Sequence, residues 1–186
     1  MLRTVQTNPR RPFGRTAFLD RLRRRRLIRR YEAHGWRVLD DDVEQGQIRL
    51  ATGLRFDALA MPDTLGLRIL GTTRLHAELE LPDLRGPVLG TPTGSWLFLV
   101  RPGTPLRSDL EDILGIVRHG RGSWVPAAPG RTAEGPIRWV VTPERVGWRL
   151  PASTAVQDML ADRLTDHPMP PRITVPRQVS TDRRAA

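Results

Sequence analysis

The chain has 186 residues, of which 39% are hydrophobic, enough for one domain with a moderate core. Its 30 basic and 20 acidic residues give a formal net charge of +10, and every basic residue is arginine. Cysteine is absent, which excludes disulfides, thiolate zinc sites and cysteine catalysis, and favours a reducing cytoplasm. The sequence has neither an apolar run long enough to span a membrane nor the apolar segment of a secretory signal. We therefore expect a cytoplasmic protein without membrane contact.

The N-terminal part is dominated by arginine. Residues 1–15 carry arginines and prolines without apolar periodicity, so we expect a flexible basic arm. A helix is predicted over residues 16–34, with Gly35 as its left-handed cap. Four consecutive arginines interrupt its apolar stripe and cover every side of one turn, so they cannot share one face. These arginines are compatible with phosphate contacts and equally with a solvated turn. The four are Arg23, Arg24, Arg25 and Arg26.

Short strands are predicted next, over residues 36–39, 48–51 and 55–61, with a turn at 52–53. The acidic run after the first strand is expected to be a solvated loop, because neighbouring carboxylates point to different sides and nothing fixes them around a metal ion. This run is Asp40, Asp41 and Asp42. A short helix over residues 63–70 and a weaker one over 74–81 follow, the second ended by Pro82.

The most apolar run is WLFLV, residues 96–100, which predicts a central strand buried on both faces, preceded by a short strand over 87–89. Ser108 and Glu111 have the spacing of a capping box, and the apolar residues after them predict the clearest helix of the chain, ending at residues 118–120. A last helix is predicted from Ser153 to Leu164. Residues 166–186, rich in proline and arginine, predict a disordered tail.

Two β-type runs, residues 123–126 and 136–142, enclose a loop rich in proline and glycine, residues 127–135. This pattern predicts a hairpin whose mouth carries Arg131 and Glu134. Such a mouth is a place where proteins hold ligands, although most loops of this composition hold none. Trp124 and Trp139 are expected to anchor the hairpin in the core.

Four stretches carry a family resemblance: YEAHGWRVLD (31–40), IRLATG (48–53), FDALAMPDTLGLRIL (56–70) and GSWVPAAPGRTAEGPIRW (122–139). In order and spacing they resemble the N-terminal domain of bifunctional DNA primase/polymerases, the prim-pol branch of the archaeo-eukaryotic primase superfamily, in its actinobacterial form. The resemblance covers residues 27–165. It implies an α/β (α+β) fold, a mixed central sheet with flanking helices, in a primase/polymerase-like domain over residues 16–165.

The chain departs from this family where catalysis is expected. Active members resemble one another in an Asp-X-Asp pair that holds divalent metal ions, and Ala60 and Pro62 stand at those positions here. The family's two histidines are also missing, from residues 94–98 and 131–133. Asp57 is nearby but, three residues from Ala60 on an extended strand, it points to the opposite face.

Only weak catalytic candidates are left: Asp57, Asp63 and His119. His119 precedes the predicted hairpin, and a protonated histidine favoured by the dipole at a helix C-terminus is its plainer explanation. No residue is assigned to a metal site, and no cofactor is expected.

The leading hypothesis is a catalytically degenerate primase/polymerase-like domain, a pseudoenzyme linked to DNA replication that keeps nucleic-acid or nucleotide binding. Non-specific DNA contacts would come from Arg23, Arg24, Arg25, Arg26 and Arg131. One alternative is an active DNA primase/polymerase with displaced carboxylates, which would need Mg²⁺ or Mn²⁺. The other is a protein-interaction or regulatory module whose partner the sequence does not identify.

Overall fold

The computed structural model describes residues 15–42, 47–78, 84–111, 113 and 115–166. The predicted basic arm and C-terminal tail therefore lie outside the described residues, except for Arg15 and Asp166. The described elements are, in chain order, α1 (Arg15–Ala33), β1 (Val38–Asp42), β2 (Gln47–Ala51), β3 (Asp57–Pro62), α2 (Asp63–Glu78), β4 (Val88–Gly90), β5 (Ser95–Val100), α3 (Ser108–Glu111), β6 (Val117–His119), β7 (Trp124–Ala127), β8 (Gly130–Thr132), β9 (Gly135–Val141) and α4 (Ser153–Asp166).

The strands form two sheets. The smaller sheet has the order β1-β2-β7, and the larger sheet has the order β6-β3-β5-β4-β9-β8. Every described strand pair is antiparallel. The α+β class predicted from the sequence is confirmed, but the central sheet is antiparallel, not mixed.

Strand β5 lies in the interior of the larger sheet, between β3 and β4, as predicted. Successive side chains of a strand point to opposite faces. Leu97 and Leu99 are buried in the core between the two sheets, whereas Phe98 and Val100 are buried in the core beneath the helices. The apolar run therefore belongs to two cores at once.

Aromatic side chains fasten α1 to the core between the sheets. The hydroxyl of Tyr31 donates to the carbonyl of Ala128 at 2.6 Å and accepts from the indole Nε1–H of Trp139 at 3.3 Å. Its ring stacks on Trp36, with 5.8 Å between centroids. Burial raises the pKa of Tyr31 to about 12. Trp139 is half-buried against this core, in agreement with its predicted role as an anchor.

Helices α2 and α4 contribute to the core on the other face of the larger sheet. The two predicted helices after β3 are one helix, because Gly71 does not interrupt α2. The prediction for α4 is confirmed, and Gln157 ties it to the segment before α3 by donating to the carbonyl of Pro105 at 3.0 Å. The same side chain donates to the hydroxyl of Ser153, the first residue of α4, also at 3.0 Å. The four predicted inward residues are buried: Val156, Met159, Leu160 and Leu164.

The helix predicted from residue 108 to residues 118–120 is wrong. Helix α3 ends at Glu111, and Gly115 has a φ of +84°, which is incompatible with a continuing right-handed helix. Residues Val117–His119 form β6, which pairs with β3. The backbone groups of these residues find their hydrogen-bond partners in a strand distant in sequence, whereas local periodicity predicted partners within a helix.

The predicted hairpin is also wrong. Strand β7 pairs with β2 in the smaller sheet, whereas β9 pairs with β8 and β4 in the larger one. The stretch between them includes β8, so the chain crosses from one sheet to the other where the sequence predicted a loop. The predicted acidic loop needs correction as well, since β1 extends to Asp42. The backbone of Asp40, Asp41 and Asp42 is therefore extended, and their side chains lie outside the described part of the chain.

None of the helices in the described ranges combines the length and the apolar character that crossing a membrane requires.

The turn after β2 gives a prediction about stability. Gly53 has a φ of +77°, and a Cβ added there would lie 2.1 Å from the Cα of Arg121. Gly53→Ala should therefore destabilise the fold by about 2 kcal/mol or more, through both the left-handed backbone and the clash. Gly71→Ala is the matched control, because nothing lies within 4 Å of its added Cβ, and it should stabilise α2 by up to about 1 kcal/mol. Urea denaturation measures both, and equal stabilities would contradict the prediction.

Candidate functional site

A cavity of about 460 Å³ opens where β7 of the smaller sheet faces the larger sheet beside β6. Both strands are edge strands of their sheets. From the larger sheet, Ala60 of β3 and Leu97 of β5 line the cavity, directly opposite one another in the ladder. We call this cavity the inter-sheet cleft. Its lining residues are Ala60, Thr91, Thr93, Ser95, Leu97, His119, Ser123, Trp124, Val125 and Pro126.

Hydroxyl groups from the turn between β4 and β5 form one side of the cleft. The hydroxyl of Thr91 lies 2.9 Å from that of Thr93 and donates to the carbonyl of Ser95 at 2.9 Å. The hydroxyl of Ser95 donates to the carbonyl of Met61 at 3.3 Å. A hydroxyl is both a donor and an acceptor, so this rim can offer either role to a ligand while the turn stays fixed.

Trp124 stands at the other side of the cleft and is 41% exposed, so its predicted role as a core anchor is wrong. The alternation of β7 explains this, because Val125 and Ala127 point into the core and Trp124 points out. The guanidinium carbon of Arg49, on the neighbouring strand, lies 5.3 Å from the centroid of the Trp124 ring. This is a cation-π distance, which orients the ring and keeps a positive charge beside it.

His119 lines the end of the cleft from β6, where it lies opposite Ala58. Its Nδ1 atom is 3.3 Å from the hydroxyl of Ser123. Burial lowers the pKa of His119 below its ordinary value. The expected protonated histidine at a helix C-terminus is therefore wrong, because His119 belongs to a strand and its surroundings favour the neutral imidazole.

Asp57 is fully buried and does not line the cleft. Its Oδ2 atom accepts from Nη2 and Nε of Arg118 at 2.8 and 3.1 Å, and from the backbone N–H of Gly103 at 3.0 Å. Ala58 and Ala60 contribute to the core between the sheets, whereas Leu59 belongs to the core on the helix side. By strand alternation Asp57 faces the helix side, opposite Ala60, as the sequence predicted. Its ion pair ties β3 to β6.

Asp63 begins α2 and is exposed. Its backbone N–H donates to the carbonyl of Gly94 at 2.9 Å, and its Oδ2 atom lies 3.8 Å from the position of a Cβ added at Gly94. Asp63 is thus next to the turn that carries the hydroxyl rim but is not among the lining residues. No carboxylate lines the cleft within the described part of the chain.

The predicted arginine contacts separate into two groups. Arg24 is half-buried, and its Nη2 donates to the carbonyl of Gln47 at 2.8 Å, so it fastens α1 to the start of β2. The side chains of Arg23, Arg25 and Arg26 are exposed, in keeping with four arginines that cannot share one face. Arg131 is exposed on β8, at the opposite edge of the larger sheet from β6, so the structure does not bring it to the cleft.

Sequence reasoning missed Arg49 and the hydroxyl rim. A signal for Arg49 was present, because it stands between Ile48 and Leu50 in a strand, and alternation directs it away from the core. No local signal brings the rim to β7, since that contact depends on how the two sheets pack. Among residues 15–42, 47–78, 84–111, 113 and 115–166, no group of three or more histidine, aspartate or glutamate side chains could hold a metal ion.

No family model matches the chain, and neither a curated protein nor a solved structure matches it. The primase/polymerase resemblance therefore depends on the four sequence stretches alone.

The burial of His119 predicts how stability depends on pH. Its folded pKa lies below the ordinary 6.5, so the unfolded chain takes up the proton more readily. The stabilising contribution of neutral His119 is present above pH 6.5 and is lost as the pH falls through the lower folded pKa. Denaturation at pH 7.5 and 5 should show a smaller loss of stability in His119→Gln than in the parent. A ring that titrates above 6.5 by NMR would contradict this assignment.

Proposed function

We propose that this chain is a primase/polymerase-like domain that binds single-stranded nucleic acid at the inter-sheet cleft without catalysing nucleotide transfer. One observation carries the proposal. The exposed ring of Trp124, with Arg49 beside it, lines the same cleft as the rim of hydroxyls and Ala60, at whose position the resembled family has a metal-binding carboxylate.

Trp124 supports the binding part of the proposal. Proteins that hold single strands stack bases on exposed aromatic rings and follow the backbone with positive charge. Stacking on one ring contributes about 1–3 kcal/mol per base and tolerates any base. The cleft beside the ring, about 460 Å³, has the size of a small-molecule site, and its hydroxyls can bond to base edges or sugars.

Arginines extend the site along the smaller sheet. Arg24 of α1 donates to the carbonyl of Gln47, the first residue of β2, and Arg49 lies two residues further along the same strand. Both arginines are therefore located at β2. The exposed arginines of the same turn of α1 add positive charge, but since they do not share one face, only part of this turn can face the same side as Arg49. Phosphate groups would contact those cations, and such contacts are independent of base sequence.

The identity of the residues in β3 supports the absence of nucleotide transfer. Two-metal transfer needs carboxylates that hold both ions in line with the attacking oxygen. Ala60 and Pro62 offer none, and Asp57 is engaged by Arg118 on the other face of the strand. Asp63 is the one sequence-predicted carboxylate beside the rim. Primer extension by the unmodified protein that is lost in Asp63→Asn would favour the active enzyme instead.

Removing the ring tests the binding surface. Trp124→Ala should weaken binding of a single-stranded oligonucleotide about 5-fold to 150-fold, the equivalent of one lost stacking contact. Leu67→Ala is the control, because Leu67 is also a large exposed apolar residue, at 62%, but belongs to α2. Fluorescence anisotropy with a labelled oligonucleotide measures both. Equal affinities of the two variants would show that nucleic acid, if bound, does not stack on Trp124.

The exposed arginines of α1 predict a dependence on salt. Changing Arg23, Arg25 and Arg26 to glutamine should flatten the plot of log affinity against log salt by up to about 2 units, because each phosphate contact on a single strand contributes about 0.7. Arg24 is left unchanged since it fastens α1 to β2. A control variant with the same loss of charge carries glutamine at three other exposed arginines, namely Arg131, Arg138 and Arg145. If the control flattens the slope equally, α1 is not the contact surface.

A further inference from the structure

A second cavity, of about 690 Å³, has arginine as its dominant lining residue. Arg55 precedes β3 and Arg101 follows β5, whereas Ala60 and Ser95, which line the inter-sheet cleft, stand at the opposite ends of the same strands. A strand of six residues spans roughly 20 Å, so the two cavities lie at opposite ends of the larger sheet. We call the second cavity the arginine cavity. Its four arginines are Arg55, Arg85, Arg101 and Arg149.

Close backbone contacts hold three of the segments that carry these arginines. The N–H of Arg101 donates to the carbonyl of Pro151 at 2.9 Å. Gly86, next to Arg85, is packed so tightly that an added Cβ would lie 2.6 Å from the Cδ of Pro151. Pro151 therefore joins the segments of Arg85 and Arg101 to the segment of Arg149. The backbone segments that carry these guanidinium groups are therefore fixed before a ligand binds, which reduces the conformational entropy lost on binding.

The other walls are equally constrained. The stem of Arg55 lies against Gly35, with its Cδ 3.8 Å from the position of an added Cβ. Trp148, which lines the cavity, has a φ of 60°, an uncommon conformation for a bulky residue. Its N–H donates to the carbonyl of Pro143 at 2.8 Å, and its ring stacks on His34 at 3.8 Å between centroids. Backbone held in a sparsely populated conformation is concentrated at functional sites, where the surrounding structure imposes it.

The electrostatics of the cavity favour an anion. No carboxylate is among the described residues that line it. Within the described part of the chain, neither Arg55 nor Arg101 forms an ion pair. Asp57 lies on the adjoining strand, but Arg118 and the N–H of Gly103 donate to Oδ2 of its carboxylate. Arg55 and Arg101 carry like charges at one cavity, and a bound anion of high charge relieves the repulsion between them.

We propose that the arginine cavity is a binding site for a polyphosphate group, separate from the inter-sheet cleft. A guanidinium group binds phosphate oxygens in pairs, and Arg55 and Arg101, from different segments, can contact the oxygens of two linked phosphates from different sides. A cavity of about 690 Å³ has room for such a group. The same chemistry is found in a free nucleoside triphosphate and at the 5′-triphosphate end of a nucleic acid.

Calorimetric titration of the full chain with inorganic pyrophosphate at low salt tests the site. The parent protein should bind pyrophosphate, and the Arg55→Gln, Arg101→Gln double variant should bind it at least about ten-fold more weakly, because charge-assisted hydrogen bonds are lost. Arg138→Gln, Arg145→Gln is the matched control. It removes the same charge from exposed positions outside the arginine cavity and should leave the affinity unchanged. Circular dichroism confirms that both variants are folded.

Two results would overturn the proposal: no pyrophosphate binding by the parent protein, or equal weakening in the two double variants. Trp124→Ala should leave pyrophosphate affinity unchanged, so failure of this site and failure of the cleft are separate outcomes. Titrations with a nucleoside triphosphate and with an oligonucleotide bearing a 5′-triphosphate then distinguish the sources. The true ligand should bind the parent more tightly than pyrophosphate does, and that gain should be lost in Arg55→Gln, Arg101→Gln.

Discussion

The burial of β3 and β5 on both faces is the constraint on which the rest of this structure depends. Each strand has six residues, and the two lie side by side in the interior of the larger sheet. Since both faces of the pair are largely apolar, each face needs its own covering layer. The smaller sheet and α1 cover one face, and α2 and α4 cover the other. The loops at the two ends of this pair are left at the surface, and there the chain places its two candidate binding cavities.

The sequence predicted the elements whose signals are local. The WLFLV run, the left-handed cap at Gly35 and the apolar face of α4 all have the structure expected of them. Predictions failed where a segment forms its backbone hydrogen bonds with a strand that is distant in sequence. Residues Val117–His119 have helical periodicity before them, yet they pair with β3 and form an edge of the larger sheet. The supposed hairpin failed because β7 finds a better partner in β2, some 75 residues earlier, than in β9.

The candidate site was predictable only where strand alternation decides it. Alternation separates Asp57 from Ala60, and the structure places the two on different faces of β3. It does not reveal that Trp124 is exposed, because the inward and outward faces of β7 are set by packing against β2 and the larger sheet. The position of the rim in the same cleft as Trp124 likewise follows from the way the two sheets pack. A single sequence does not show how the two sheets pack against each other.

The family that the sequence resembles has a carboxylate at the position of Ala60, and under the proposed function alanine there changes what the cleft can attract. A carboxylate facing the cleft would repel phosphate unless a divalent cation stood between them. Ala60 removes that repulsion, so a phosphate or a base can approach without a bridging metal. Under the proposed function the positive charge then comes from the protein itself, and Arg49 beside Trp124 is its proposed source. On the other face of β3, Arg118 donates to Oδ2 of the buried Asp57, so this charge has a counter-charge of its own.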